Sequence, residues 1–168
     1  MVTTPPAAAE RHRFLALGDS YTIGEGVADE ERWPAQLARR LRARGVAIDE
    51  PDIIARTGWS TDELAAAMDV GHFSPPYALV TLLIGVNNQY RGRDIANYRD
   101  EFDALLDRAV ALAGDAARVI VVSIPDWGVT GFAHAQSRDA AKVGVDIDAY
   151  NAAARESSNE RGVSFVDV

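Results

Sequence analysis

Phe14-Leu15-Ala16-Leu17-Gly18-Asp19-Ser20-Tyr21 is an apolar run of strand length that ends on a glycine turn and delivers a hydroxyl directly after it. With Phe14–Leu17 as the first, β-branched or Leu-rich runs bounded by Gly, Pro or Asp recur at Ile53–Ala55, Leu79–Ile84, Val119–Ser123 and Ser164–Val168. Their length and boundaries read as five strands. Between them the apolar residues return with helical period. Trp33, Leu37 and Leu41 form one stripe, Leu64 and Met68 another, and Phe102, Leu105, Leu106 and Ala109 a third. Strand and helix in alternation predict a parallel sheet covered on both faces, because each right-handed crossover lays its helix against the sheet. The fold class is therefore α/β, a three-layer α/β/α sandwich around a five-stranded parallel sheet with flavodoxin-like strand order. Ser60-Thr61-Asp62-Glu63 matches a capping box, and Gly45 and Gly162 stand where helices should end.

The 168 residues suit one domain, with a flexible polar tail expected over residues 1–12 and the folded domain over 13–168. The 17 basic residues against 25 acidic ones leave a formal charge of −8, which repels a nucleic-acid backbone. Without cysteine there is no disulfide framework and no thiolate nucleophile. No His/Asp/Glu cluster has metal-ligand spacing, so neither metal nor cofactor is expected. The longest apolar run, around Ala78 to Ile84, is far short of the ~20 residues that span a bilayer, and the first residues lack the apolar stretch of a secretory signal. A cytoplasmic protein without a membrane span is the expectation.

In open α/β sheets ligands bind beyond the carboxyl ends of the strands, which selects the loops beginning at Gly18, Arg56, Gly85 and Ile124. After the first strand, Ser20 can project its hydroxyl toward solvent while the following N–H groups face a developing anion, though a helix-capping serine explains the residue equally well. After the second, Gly58 lets a backbone N–H approach a substrate oxygen at a helix start. After the third, the amide of Asn87 can complete an oxyanion hole with the N–H groups of Ser20 and Gly58. Trp59, Asn88 and Trp127 stand on the same loops as candidates for contact with substrate, and Tyr90 and Phe132 lie on the rim.

In order, spacing and strand context these blocks resemble the GDSL or SGNH hydrolase family. Gly18-Asp19-Ser20-Tyr21 is similar to its first block, Gly58 to the glycine of its second, and Gly85-Val86-Asn87-Asn88 to the Gly-x-Asn-Asp of its third, with Asn88 in place of the commoner Asp. The resemblance implies a serine esterase with Ser20 as nucleophile and the Ser20 N–H, Gly58 N–H and Asn87 side chain as oxyanion hole. Asp19 is expected to order the nucleophile turn. A small-molecule ester is the implied substrate.

The family takes its acid and base from an Asp-x-x-His block after the fifth strand, and no Asp-x-x-His stands there in this sequence, the one match, Asp69-Val70-Gly71-His72, falling before the third strand. Of the three histidines, His12 falls in the tail and His72 before the third strand; His134 follows the fourth strand and is the one candidate base at the correct edge. The expectation is a C-terminally incomplete hydrolase domain with impaired turnover, self-associating through the surface that the missing segment exposes. Two other readings stand beside it. One is a flavodoxin-like FMN-binding protein using Ser20-Tyr21-Thr22-Ile23-Gly24 as a phosphate loop; the other is a non-catalytic fragment that binds acyl or carbohydrate groups.

Overall fold

A computed structural model describes residues 11–168. Its strands are β1 (Phe14–Gly18), β2 (Asp52–Ala55), β3 (Leu79–Leu83), β4 (Val119–Val122) and β5 (Ser164–Val166). Its α-helices are α1 (Ser20–Ile23), α2 (Trp33–Ala43), α3 (Thr61–Val70), α4 (Val86–Tyr90), α5 (Ile95–Ala113), α6 (Gly131–Ala135) and α7 (Ala140–Glu160). The strands form one five-stranded, all-parallel sheet in the order β2-β1-β3-β4-β5. That is the flavodoxin-like order which the alternation of strand and helix predicts.

Side chains of a strand point alternately to its two faces, and β1 divides accordingly. Leu15 and Leu17 join the larger core with Leu64 and Met68 of α3, Phe102, Leu105 and Leu106 of α5, and Ile147 and Tyr150 of α7. Phe14 and Ala16 turn the other way, to Ala38, Leu37 and Leu41 of α2. The residues of each helical stripe are thus the ones that meet the sheet, each fully buried Leu or Phe contributing roughly 1.5–3 kcal/mol. Among the described helices α2 alone supplies the second core, so the layers are uneven. On the strands farthest from it, Ile120 and Val122 are only half-buried and Val166 is exposed.

Register brings the loops of the site together. Gly18 at the end of β1 lies level with Ala55 of β2 on one side and Leu83 of β3 on the other. The chain after each of these strands therefore leaves the sheet side by side. Between Gly85 and α4 the turn requires glycine, because φ there is +128° and a Cβ would lie 2.6 Å from the ring of buried Tyr98.

His12, assigned to the tail by sequence, instead pairs its backbone with the segment before β2: its N–H donates to the Ala47 carbonyl at 2.7 Å and its carbonyl accepts from Asp49 N–H at 2.9 Å. Residue 12 is therefore held against the domain, since the bridge satisfies backbone groups that a tail would leave to water. The rest of the expected tail, residues 1–10, lies outside the described residues. Among the described residues no helix is long and apolar enough to cross a membrane.

Candidate active site

Ser20 opens α1, a single turn made possible by its neighbour. Asp19 caps that turn, its Oδ1 accepting the Tyr21 N–H at 3.0 Å. The Ser20 N–H and Oγ have no hydrogen-bond partner among the described residues, so both remain available at the carboxyl edge of the sheet. Asp19 itself is fully buried, and its second carboxylate oxygen has no partner. Burial pushes its carboxyl up to about 7, against the opposing backbone hydrogen bond from Tyr21. Desolvation first, and then the nearby Asp19 and Asp126, also raise the Tyr21 phenol. A buried carboxyl capping α1 already accepts the donor that a phosphate would need, which removes the physical basis of the FMN-loop reading.

The loop after β2 is held from α4 at three points. Asn87 donates its Nδ2 to the Trp59 carbonyl at 2.8 Å. This contact uses one of the two amide hydrogens and leaves the other for a ligand. Arg91, next after α4, donates to the Gly58 carbonyl at 2.7 Å, to Ser60 Oγ at 3.1 Å and to Glu63 at 3.0 Å. Gly58 sits at φ +87°, a left-handed conformation that turns its carbonyl toward Arg91, and its own N–H has no partner among the described residues.

The third point is Asn88, and it corrects the expectation of substrate contact. Asn88 is fully buried, accepts the Thr61 N–H at 3.1 Å and donates Nδ2 to Thr61 Oγ1 at 2.6 Å. Thr61 passes its own hydroxyl hydrogen to Glu101. The amide at position 88 supplies the hydrogen that Thr61 Oγ1 accepts, which frees the Thr61 hydroxyl hydrogen for Glu101. Trp59 is a second correction. It packs half-buried against the larger core and does not line the pocket, while its carbonyl serves as the anchor for Asn87.

Ser20, Gly58 and Asn87 line a single open pocket of about 470 Å³. Tyr21, Glu25, Thr57, Val86, Tyr90, Trp127, Thr130 and Phe132 complete its wall. Trp127, Tyr90 and Phe132 pack on one another with ring centroids 5.4, 6.3 and 6.0 Å apart. The Trp127 indole N–H donates to Gln89 at 2.9 Å, and the Tyr90 hydroxyl donates to Gln136 at 2.8 Å. None of the histidines lines this pocket. His12 borders a hollow with Arg13 and Arg118 at the opposite end of the sheet, His72 is exposed before β3, and His134 is exposed on α6. Sequence reasoning missed Glu25, Thr57 and Arg91. For Arg91 a signal existed, since it falls four residues after Asn87 and so on the same side of a helical segment.

A family model described as the GDSL-like Lipase/Acylhydrolase family matches residues 16–168. Solved structures with the same fold include AlinE4, an SGNH-hydrolase family esterase, at 18% identity and TM-score 0.67, covering 95% of this chain and 77% of that one. The psychrotrophic esterase EstA from a Pseudoalteromonas species, solved with monoethylphosphonate as inhibitor, matches at 16% identity and TM-score 0.65, covering 94% and 77%. Phospholipase A1 from Streptomyces albidoflavus matches at 20% identity and TM-score 0.64, covering 93% and 79%. A comparison with curated protein sequences returns no match.

Proposed function

The chain belongs to the GDSL-like lipase/acylhydrolase family, and on that premise we propose that it cleaves short-chain carboxylic esters through an acyl-enzyme on Ser20. The observation that carries the reading is that Ser20, Gly58 and Asn87, from three separate loops, line one pocket with unspent donors. Ser20 Oγ attacks the ester carbonyl, and the oxygen that gains charge is received by the Ser20 and Gly58 N–H groups and the free hydrogen of Asn87 Nδ2. The alcohol leaves, and water releases the acyl group from Ser20. A pocket of about 470 Å³ with an aromatic wall suits a small acyl or alcohol group.

Turnover is slow in this reading, because no histidine lines the pocket to take the Ser20 proton. The oxyanion donors then support residual catalysis over water. Self-association through the half-covered face of β4 and β5 belongs to the same proposal and is read by light scattering.

The test is to treat the protein with a fluorophosphonate probe, locate the adduct by peptide mass spectrometry, and follow p-nitrophenyl acetate hydrolysis alongside. The expected result is labelling at Ser20, with both signals lost in Ser20→Ala. Removing the Asn87 amide by Asn87→Ala should slow acylation by about a hundredfold or more while the probe still reaches Ser20. Equal hydrolysis by Ser20→Ala would end the proposal.

A further inference from the structure

We propose that the ester taken by this pocket carries an ammonium group, held between the Glu25 carboxylate and the aromatic wall of Tyr90, Trp127 and Phe132. The inference rests on the serine-esterase reading of the same pocket. Among the described residues Glu25 is the only charged side chain on the pocket wall, and no lysine or arginine offsets it there. Its carboxylate is oriented by the Thr57 hydroxyl, which donates to Oε2 and lines the same pocket. Its backbone N–H donates to the Ser20 carbonyl at 3.0 Å, so the carboxylate is carried by the turn that follows the nucleophile. Glu25 and Ser20 line the same pocket, so one ester can meet both.

The aromatic wall supplies the other half of the cation site. The polar tips of Trp127 and Tyr90 are both spent on glutamines that do not line the pocket, which leaves carbon surface toward the ligand. Phe132 is 56% exposed at the rim, so its ring is accessible to a ligand in the pocket. Ring faces attract cations through their quadrupole, and a trio of rings lining the same pocket as a carboxylate suits a trimethylammonium or similar group. These rings already take one cation: the Arg138 guanidinium lies 4.8 Å from the Tyr90 centroid and 6.0 Å from that of Trp127, in a neighbouring hollow and not on the wall of this pocket. The formal charge of −8 favours the approach of a cationic ester over an anionic one.

Choline and 3,3-dimethylbutanol have nearly the same shape and differ in the charge, so the pair isolates it. Calorimetry with each should show choline binding about tenfold more tightly, with the preference shrinking as salt is raised. Glu25→Gln should bring the two alcohols to parity, and Thr57→Val should reduce the preference partway; circular dichroism of both variants checks that the fold is kept. In turnover, acetylthiocholine should exceed 3,3-dimethylbutyl thioacetate in kcat/KM by a similar factor. Equal affinities, no binding of either alcohol, or a preference that survives Glu25→Gln would overturn the inference. Choline binding with neither thioester hydrolysed and Ser20 unlabelled would instead overturn the esterase reading and leave the cation site standing.

Discussion

Replacing Asp19 by asparagine should remove a specific pH dependence from the stability of this fold. Asp19 is fully buried beside the nucleophile, and its folded carboxyl titrates at about 7 where an unfolded one titrates near 3.8. A raised folded pKa means that the fold holds the protonated form. Its stabilising effect is complete below the unfolded pKa and is lost as pH rises toward about 7. From pH 5 to pH 7 the unfolded chain has already released this proton while the folded one retains it, so stability falls by about 1.4 kcal/mol per pH unit, or about 3 kcal/mol in total. Asparagine is nearly isosteric, can still accept the Tyr21 N–H, and does not titrate. Urea unfolding of both proteins from pH 5 to pH 8 should give a difference that moves by about 3 kcal/mol in favour of Asp19→Asn and levels off above pH 7. Asp62, which hydrogen bonding from Arg93 holds at about 2, titrates below this window and is shared by both proteins. Parallel stability curves would refute the argument and mean that Asp19 is charged throughout. The same titration bears on chemistry, since below about pH 7 a protonated Asp19 places no negative charge beside the oxyanion that forms at Ser20.

Two further outcomes follow from the scaffold. Arg91→Gln removes the cation that fixes the Gly58 carbonyl, so Ser20 acylation should slow by about tenfold with KM little changed, and Arg91→Lys should recover part of it; an effect confined to KM would argue against a positioning role. Gly85→Ala drives a Cβ to within 2.6 Å of the Tyr98 ring at φ +128° and should cost more than about 2 kcal/mol in urea unfolding. Gly45→Ala, at φ +86° with nothing within 4 Å, should cost only about 1 kcal/mol, and equal costs would mean that backbone conformation alone explains both.

The sequence by itself determined the architecture, because the signals involved are local. Short apolar runs with glycine, proline and aspartate boundaries, period-3.6 stripes, and the alternation of strand with helix require no knowledge of distant neighbours, and they marked the five strands to within a residue or two at each end. Ser20, Gly58 and Asn87 were legible for a related reason. Each follows a strand end, and a parallel sheet places every such end on one side. What tertiary structure decided is which way the neighbouring side chains face. Asn87 and Asn88 are adjacent and chemically identical, yet one lines the pocket and the other is buried against Thr61, a division set by the turn at Gly85 and the seating of α4. Glu25 and Arg91 gained their roles from contacts 32 and 33 residues away along the chain, with Thr57 and Gly58. No periodicity encodes such pairs, because long-range contacts follow from strand register and helix seating, which only the folded chain possesses.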